Sequence, residues 1–329
     1  MNFPNWMWKQ QVTTAWVLCA AAGSSLAMAS EPPAPAPQVA TDSKPTPPLP
    51  FEARVARETD FFRNGKPKPE EEMMRVPAGL VVSVLKLGAS TTWKKETGSV
   101  AQVKPDAQSQ YYALSTHLRP LEAGEVISDA VAGKLLFSSV PAAQRAWCAR
   151  FTRRVQLPPA AMPNGGKGAI VYSAAVDDAC TGYLALVSGT DKDARVRARV
   201  RRGPLSSVAV HEVPGAPPML EVEESIRGNT RVSGIRRVML GLGKAELPEL
   251  LAVDIQLDAL EQETKRSVLS DVVLTPSGKG LDIEVRRTEK QVVLATGAEK
   301  DVAQDVRRYR FEGGKLSPVQ SAQATAKPE

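Results

Sequence analysis

Leu281-Asp282-Ile283-Glu284-Val285-Arg286 alternates apolar and charged side chains through six residues. In an extended strand successive side chains point to opposite faces, which puts Leu281, Ile283 and Val285 on one side and Asp282, Glu284 and Arg286 on the other. A helix would scatter the same residues around its circumference. The stretch therefore reads as a strand of an antiparallel sheet with one wet face.

Working outward from it, short runs rich in β-branched and aliphatic residues recur at 80–87 (LVVSVLKL), 134–140 (KLLFSSV), 146–157 (AWCARFTRRVQL), 169–176 (AIVYSAAV), 182–187 (GYLALV) and 194–202 (ARVRARVRR). They continue at 206–213, 219–223, 236–240, 253–257, 271–274, 291–295 and 306–311. Many short strands punctuated by turn residues predict a mainly β chain of antiparallel sheets, sandwich-like or meander, with few short helices. One helix is expected over 258–268, where Asp258 is placed to cap and Glu261 holds the capping-box position, four residues before Lys265. A shorter helical turn is expected over 70–74. No fixed-period repeat is visible, which argues against a propeller or solenoid. The loops 158–168 and 214–218 are the natural breaks. The second divides the folded region into 51–213 and 219–316, the latter a second β-rich domain or a continuation of the first.

The chain begins with what reads as an export signal over 1–29. Lys9 supplies the positive charge, 12–22 the short apolar run, and Ala27-Met28-Ala29 the small-x-small cleavage pattern. A membrane-spanning helix needs about 20 predominantly apolar residues, and Thr13, Thr14, Ser24 and Ser25 interrupt this stretch. The expected mature form is therefore not membrane-spanning. A lipid anchor on Cys19 is disfavoured by the bulky Leu18 before it. From 30 to 50 the sequence SEPPAPAPQVATDSKPTPPLP is too dense in proline for helix or central strand and is expected to be a disordered, extended spacer. The tail 317–329 is also expected to be disordered, since it is poor in large apolar residues.

With 24% charged and 43% hydrophobic residues the chain lies in the range of ordinary globular proteins. Its net charge of +6 falls to +5 when Lys9 leaves with the signal. Of three cysteines, Cys19 leaves as well, and the remaining pair, Cys148 and Cys180, is expected to form a disulfide in an oxidising compartment. These cysteines are too far apart for a Cys-x-x-Cys redox motif. Each is expected on or at the start of a strand, so that the bridge clamps a three-strand meander.

Little in the sequence points to catalysis. His117 and His211 are the only histidines, and neither lies in a metal-binding motif. No Gly-x-Ser-x-Gly elbow or Ser-x-x-Lys with Lys-Thr-Gly is present. Gly241-Leu242-Gly243 has Glu246 where a dinucleotide fold needs its third glycine, and reads as a turn. Asp177-Asp178 and Glu223-Glu224 are acid pairs of unassigned separation. No catalytic residue, metal ligand, cofactor or nucleotide partner is expected. Only Trp93 and Trp147 survive signal removal, too few for a stacking platform, and Trp147 is expected to pack over the disulfide.

The sharpest local pattern is Arg195-Val196-Arg197-Ala198-Arg199-Val200-Arg201-Arg202. As a strand it lines Arg195, Arg197, Arg199 and Arg201 along one face, with the small apolar residues turned to the core. Guanidinium forks suit phosphate and carboxylate, so the stripe is a candidate site for a polyanion or an acidic partner. The competing reading neutralises it with acids of neighbouring strands, Glu221 and Glu223 or Asp254 and Asp258. Repulsion between neighbouring arginines forces no partner, since at about 6.6 Å it amounts to roughly 0.6 kcal/mol in water. The doublets at 153–154, 236–237, 286–287 and 307–308 either enlarge the basic surface or scatter.

Taken together, these features predict a non-catalytic exported protein, periplasmic or secreted from a Gram-negative-type envelope, that binds an envelope protein or an anionic envelope polymer through a basic sheet face. The alternative is a periplasmic hydrolase assembled from separate loops. It requires a cleft holding His117 or His211 beside a serine or a carboxylate.

Overall fold

A computed structural model describes residues 47–67, 73–162, 166–213, 216–227, 231–243 and 245–319. The expected signal, the spacer as far as residue 46, positions 70–72 of the expected short helical turn and the tail beyond residue 319 lie outside them. The chain opens with β1 (Phe51–Val55), β2 (Thr59–Phe61), β3 (Met74–Val76), the long hairpin β4 (Val81–Trp93) and β5 (Glu96–Lys104), β6 (Tyr111–Leu114) and β7 (Leu118–Pro120). Two helices follow, α1 (Asp129–Leu136) and α2 (Ala142–Ala149), then β8 (Thr152–Gln156), β9 (Gly168–Ser173), β10 (Tyr183–Ser188) and β11 (Arg195–Arg201). A meander completes the fold: β12 (Leu205–His211), β13 (Met219–Arg227), β14 (Val232–Gly241), β15 (Glu249–Glu261), β16 (Thr264–Ser277), β17 (Gly280–Val293), β18 (Glu299–Glu312) and β19 (Lys315–Val319).

These strands form a five-stranded sheet of order β6-β5-β4-β1-β7, a four-stranded sheet β11-β10-β9-β8, an eight-stranded sheet running β12 to β19 in sequence order, and the pair β2-β3. Every ladder is antiparallel, so the chain is mainly β, as its alternation predicts. The opening hexapeptide lies in β17, where Leu281, Ile283 and Val285 are buried. Among the described residues no helix is long and apolar enough to cross a membrane.

The four-stranded sheet is covered on both faces. Ile170, Tyr172, Leu184, Leu186 and Ala198 join a core that includes Val82, Val84 and Val103 of the five-stranded sheet and Leu220, Val222 and Val238 of the eight-stranded one. Val171, Ala185 and Val187 on the opposite face pack under the helices, against Ala132, Leu136, Phe137 and Cys148. Farther along the meander, β15 and β16 pair only between Gln256–Glu261 and Thr264–Leu269, and beyond this they part. The opened ends are filled by Met239, Val272, Leu281, Ile283, Val285 and Phe311. The loop at 214–218 joins β12 to β13, which pair as neighbours in one sheet from Leu205↔Glu224 to His211↔Met219.

The helices correct the sequence reading. The run 134–140 belongs mostly to α1 and its turn, and 146–149 to α2, so two expected strands are helical at these positions. Short apolar runs do not specify a period, and the end signals decide: the Ser128 hydroxyl accepts from the N–H of Val131 as an N-cap, and Pro141 stands at the head of α2. The helices also cross closely. A Cβ on Gly133 would lie 2.8 Å from that of Ala149.

Conversely, the helix expected over 258–268 is the β15–β16 turn. Asp258 caps nothing there; it accepts from the Ser267 hydroxyl at 2.8 Å and pairs with Lys265 at 3.0 Å across the hairpin. Leu257 stands opposite Val268, and cross-strand burial outweighs the local helix signals. Met74, expected in a short helical turn, begins β3. Ser317, Pro318 and Val319, expected in the disordered tail, instead pair with β18; proline is tolerated there on an edge strand.

Cys148 and Cys180 are bonded, with Cα atoms 5.0 Å apart. Cys148 lies on α2 and Cys180 in the turn before β10, so the bridge ties a helix to the sheet beneath it instead of strand to strand.

Candidate functional site: a basic edge at β11

β11 is the outer strand of its sheet and, among the described residues, pairs only with β10. Arg195, Arg197, Arg199 and Arg201 are all exposed, while Ala198 is buried and Val196 and Val200 are half-buried. The expected single-faced stripe is nevertheless divided. A bulge shifts the register between Leu186↔Ala198 and Val187↔Val196. An extra residue in one strand re-aims the side chains around it. Arg199 and Arg201, opposite Ala185 and Tyr183, share the helix-covered face. Arg197 occupies the bulge, and Arg195 stands opposite Ser188 on the other face.

Neutral groups hold three of these arginines, Arg197, Arg199 and Arg201. Arg197 Nε donates to the Ser188 hydroxyl at 2.7 Å. The Arg199 guanidinium donates through one nitrogen to the Leu135 carbonyl, in the last turn of α1, and to the Ser138 hydroxyl at 2.8 Å. Arg201 donates to the Asp178 carbonyl at 2.7 Å and lies over the Tyr183 ring, 5.1 Å from its centroid. Among the described residues none of the four forms a salt bridge, although the Arg195 charge joins the Thr190 hydrogen bonds in holding the Asp193 carboxyl below its ordinary range.

Sequence reasoning missed one member of this surface. Arg145 of α2 donates to the Ser138 carbonyl at 3.4 Å and the Val140 carbonyl at 3.2 Å, so it meets Arg199 at the same α1–α2 turn. Its Nε is buried without a hydrogen-bond partner. Reading 134–140 and 146–157 as strands hid this convergence; the signals that would have shown it are the Ser128 cap and Pro141. Trp147, also on α2, stands edge-on to Phe151 at 5.4 Å and beside Arg150 at 5.0 Å, 45% exposed in place of the closed packing expected.

The acids expected to screen β11 in the competing reading are engaged elsewhere. Glu221 and Glu223 pair with Arg237 at 3.0 and 2.9 Å, and Asp254 pairs with Arg236 at 2.7 Å. Burial pushes the Glu221 carboxyl up, but the hydrogen bond with His211 and the Arg237 charge hold it below its ordinary range. The other doublets are matched as well: Arg286 and Arg308 to Glu284, Arg287 to Glu289 and Arg307 to Asp305.

Arg153 and Arg154, in β8 at the opposite edge of the same sheet, are buried. Arg153 Nε meets Asp106 at 2.7 Å, and the two side chains are only 8% and 1% exposed. Burial opposes the charge on Arg153, yet Tyr172 and Asp106 hold its pKa above the ordinary value. Arg154 donates to the Ile127 carbonyl at 2.6 Å and contacts Glu52 and Asp129 at 2.7 Å each.

Each histidine lies beside an acid. His117, buried, shares Nδ1 with the Thr59 hydroxyl and Nε2 with Glu96, so both nitrogens are engaged within the fold. Thr59 is itself buried. This tie joins β2 to the β4–β5 hairpin. His211 bonds Glu221 at 2.9 Å between β12 and β13. Of the acid pairs, Asp177 caps its own turn by accepting from the Ala179 N–H at 2.8 Å, and Glu224 pairs with Arg202 at 3.0 Å. Gly243 N–H donates to the Glu246 carbonyl at 3.0 Å, the turn expected after Gly241.

Compared with family profiles, with curated proteins and with solved structures, the chain matches none.

Proposed function

We propose that this protein is a non-catalytic, exported binding module that presents the β11 edge to an anionic partner in the cell envelope. The observation that carries the reading is that among the described residues Arg197, Arg199 and Arg201 pair with no carboxylate, and Arg195, within reach of the Asp193 charge, forms no salt bridge, on an open edge, in a fold that matches its other arginine doublets with acids. Guanidinium groups held by carbonyls and hydroxyls keep their full charge, and each retains donors for an incoming anion. Export is supported by the signal pattern of 1–29 and accords with the disulfide, which persists in oxidising compartments.

The test is retention on immobilised heparin as a general polyanion. The double substitution Arg197→Ser with Arg199→Ser is expected to elute at lower salt and to flatten the salt dependence of binding, since fewer counterions are released. A wild-type chain that is not retained at low salt, or a variant that elutes with it, overturns the reading.

A further inference from the structure

The outer side of β11 offers main-chain groups as well as charge. The Arg202 N–H donates to the Gly182 carbonyl at 2.8 Å. In an antiparallel ladder, pairs that exchange hydrogen bonds alternate with pairs that do not. In the register Leu184↔Val200 and Leu186↔Ala198, the main-chain groups of Val200 and Ala198 therefore point to β10. Those of Arg199 and Arg201 point away from the sheet. Among the described residues these outward N–H and C=O groups take no hydrogen-bond partner, so the edge is open over the same residues that carry the unmatched charge.

Resting on the binding reading above, we infer that β11 takes up an acidic, extended peptide segment of the partner as an additional strand. Main-chain bonds to Arg199 and Arg201 would supply affinity, and side-chain alternation would supply selectivity. On the helix-covered face the added strand meets the guanidinium groups of Arg199 and Arg201, with Arg145 beyond them at Ser138, and a carboxylate is favoured there. On its other face it continues the surface of Ala198 and Val200, which favours an apolar side chain. The fitting sequence alternates acid with aliphatic residue.

The same features exclude a second copy as the occupant. Two β11 edges would oppose arginine to arginine, and charged side chains and bulges are the usual devices that keep edge strands from pairing with themselves. Charge complementarity turns that barrier into a preference for an acidic strand.

The probe is a capped hexapeptide, Met-Leu-Glu-Val-Glu-Glu, copied from 219–224, where this chain uses the alternation inside its own sheet. Its affinity is measured by calorimetry and its site by hydrogen exchange of the full chain. Three results are expected together: binding that protects the amides of Arg199 and Arg201, at least a tenfold loss when the glutamates become glutamines, and a similar loss when alternate peptide nitrogens are methylated. The methylated peptide keeps its charge and cannot form the ladder, and it leaves the protein unaltered. Equal affinity of methylated and unmethylated peptide overturns strand addition while heparin retention upholds the basic-face reading. Heparin retention without peptide binding also overturns it and assigns the edge to a polymer. Loss of both removes the two readings together.

Discussion

β8 and β11 are the two edges of one four-stranded sheet, and both are rich in arginine, yet the two sets have opposite fates. At β8 the edge is covered: Leu80 bridges to Val155, the Gln156 N–H donates to the Gly79 carbonyl at 2.9 Å, and Arg153 and Arg154 are enclosed with Asp106, Glu52 and Asp129. At β11 no described residue pairs with the outer side, and Arg197, Arg199 and Arg201 bind carbonyls and hydroxyls. A charge removed from water requires a matched partner, whereas a solvated charge requires none. The same residue type thus acts as an internal tie at one edge and is left available at the other.

The comparison is broken most severely at β8. Asp106→Ala strands a buried guanidinium and is expected to lower unfolding stability by about 3–5 kcal/mol in urea titration; a loss below about 1 kcal/mol would mean that Arg153 reaches solvent. Next comes the bridge that ties α2 to the turn before β10. Cys148→Ser with Cys180→Ser frees a loop of sequence separation 32, for which chain entropy gives a loss of about 3–4 kcal/mol, read in the same titration. Smallest is Arg199→Ser. It removes only exposed, solvated contacts, so stability should remain within about 0.5 kcal/mol. A larger loss would show that this guanidinium is a structural tie of the kind found at β8, which would erase the contrast.

Part of this was legible in the chain. The alternation at 281–286 follows from a period of two, which any strand imposes, whereas the exposure of the four β11 arginines on both faces follows from the strand's place at the sheet edge and from its bulge. The disulfide partners follow from there being two cysteines once Cys19 is set aside. The helices were not legible as such, because KLLFSS and AWCA are short apolar runs whose period is ambiguous without their caps. The 258–268 stretch failed the other way: its capping-box and i,i+4 signals are worth only fractions of a kcal/mol to about one, less than burying Val268 and its neighbours on a sheet.

The sequence alone determined the antiparallel β class, the cysteine pair and the placing of charge on alternate residues, because these depend on local geometry and composition. Tertiary structure decided which arginines meet acids. Register delivers Glu221 and Glu223 to Arg237, the fold encloses Arg153 with Asp106, and a one-residue bulge splits the β11 stripe. Pairing of charges across strands depends on which strands become neighbours and at what offset, and that is set by burial of the apolar faces over the whole sheet.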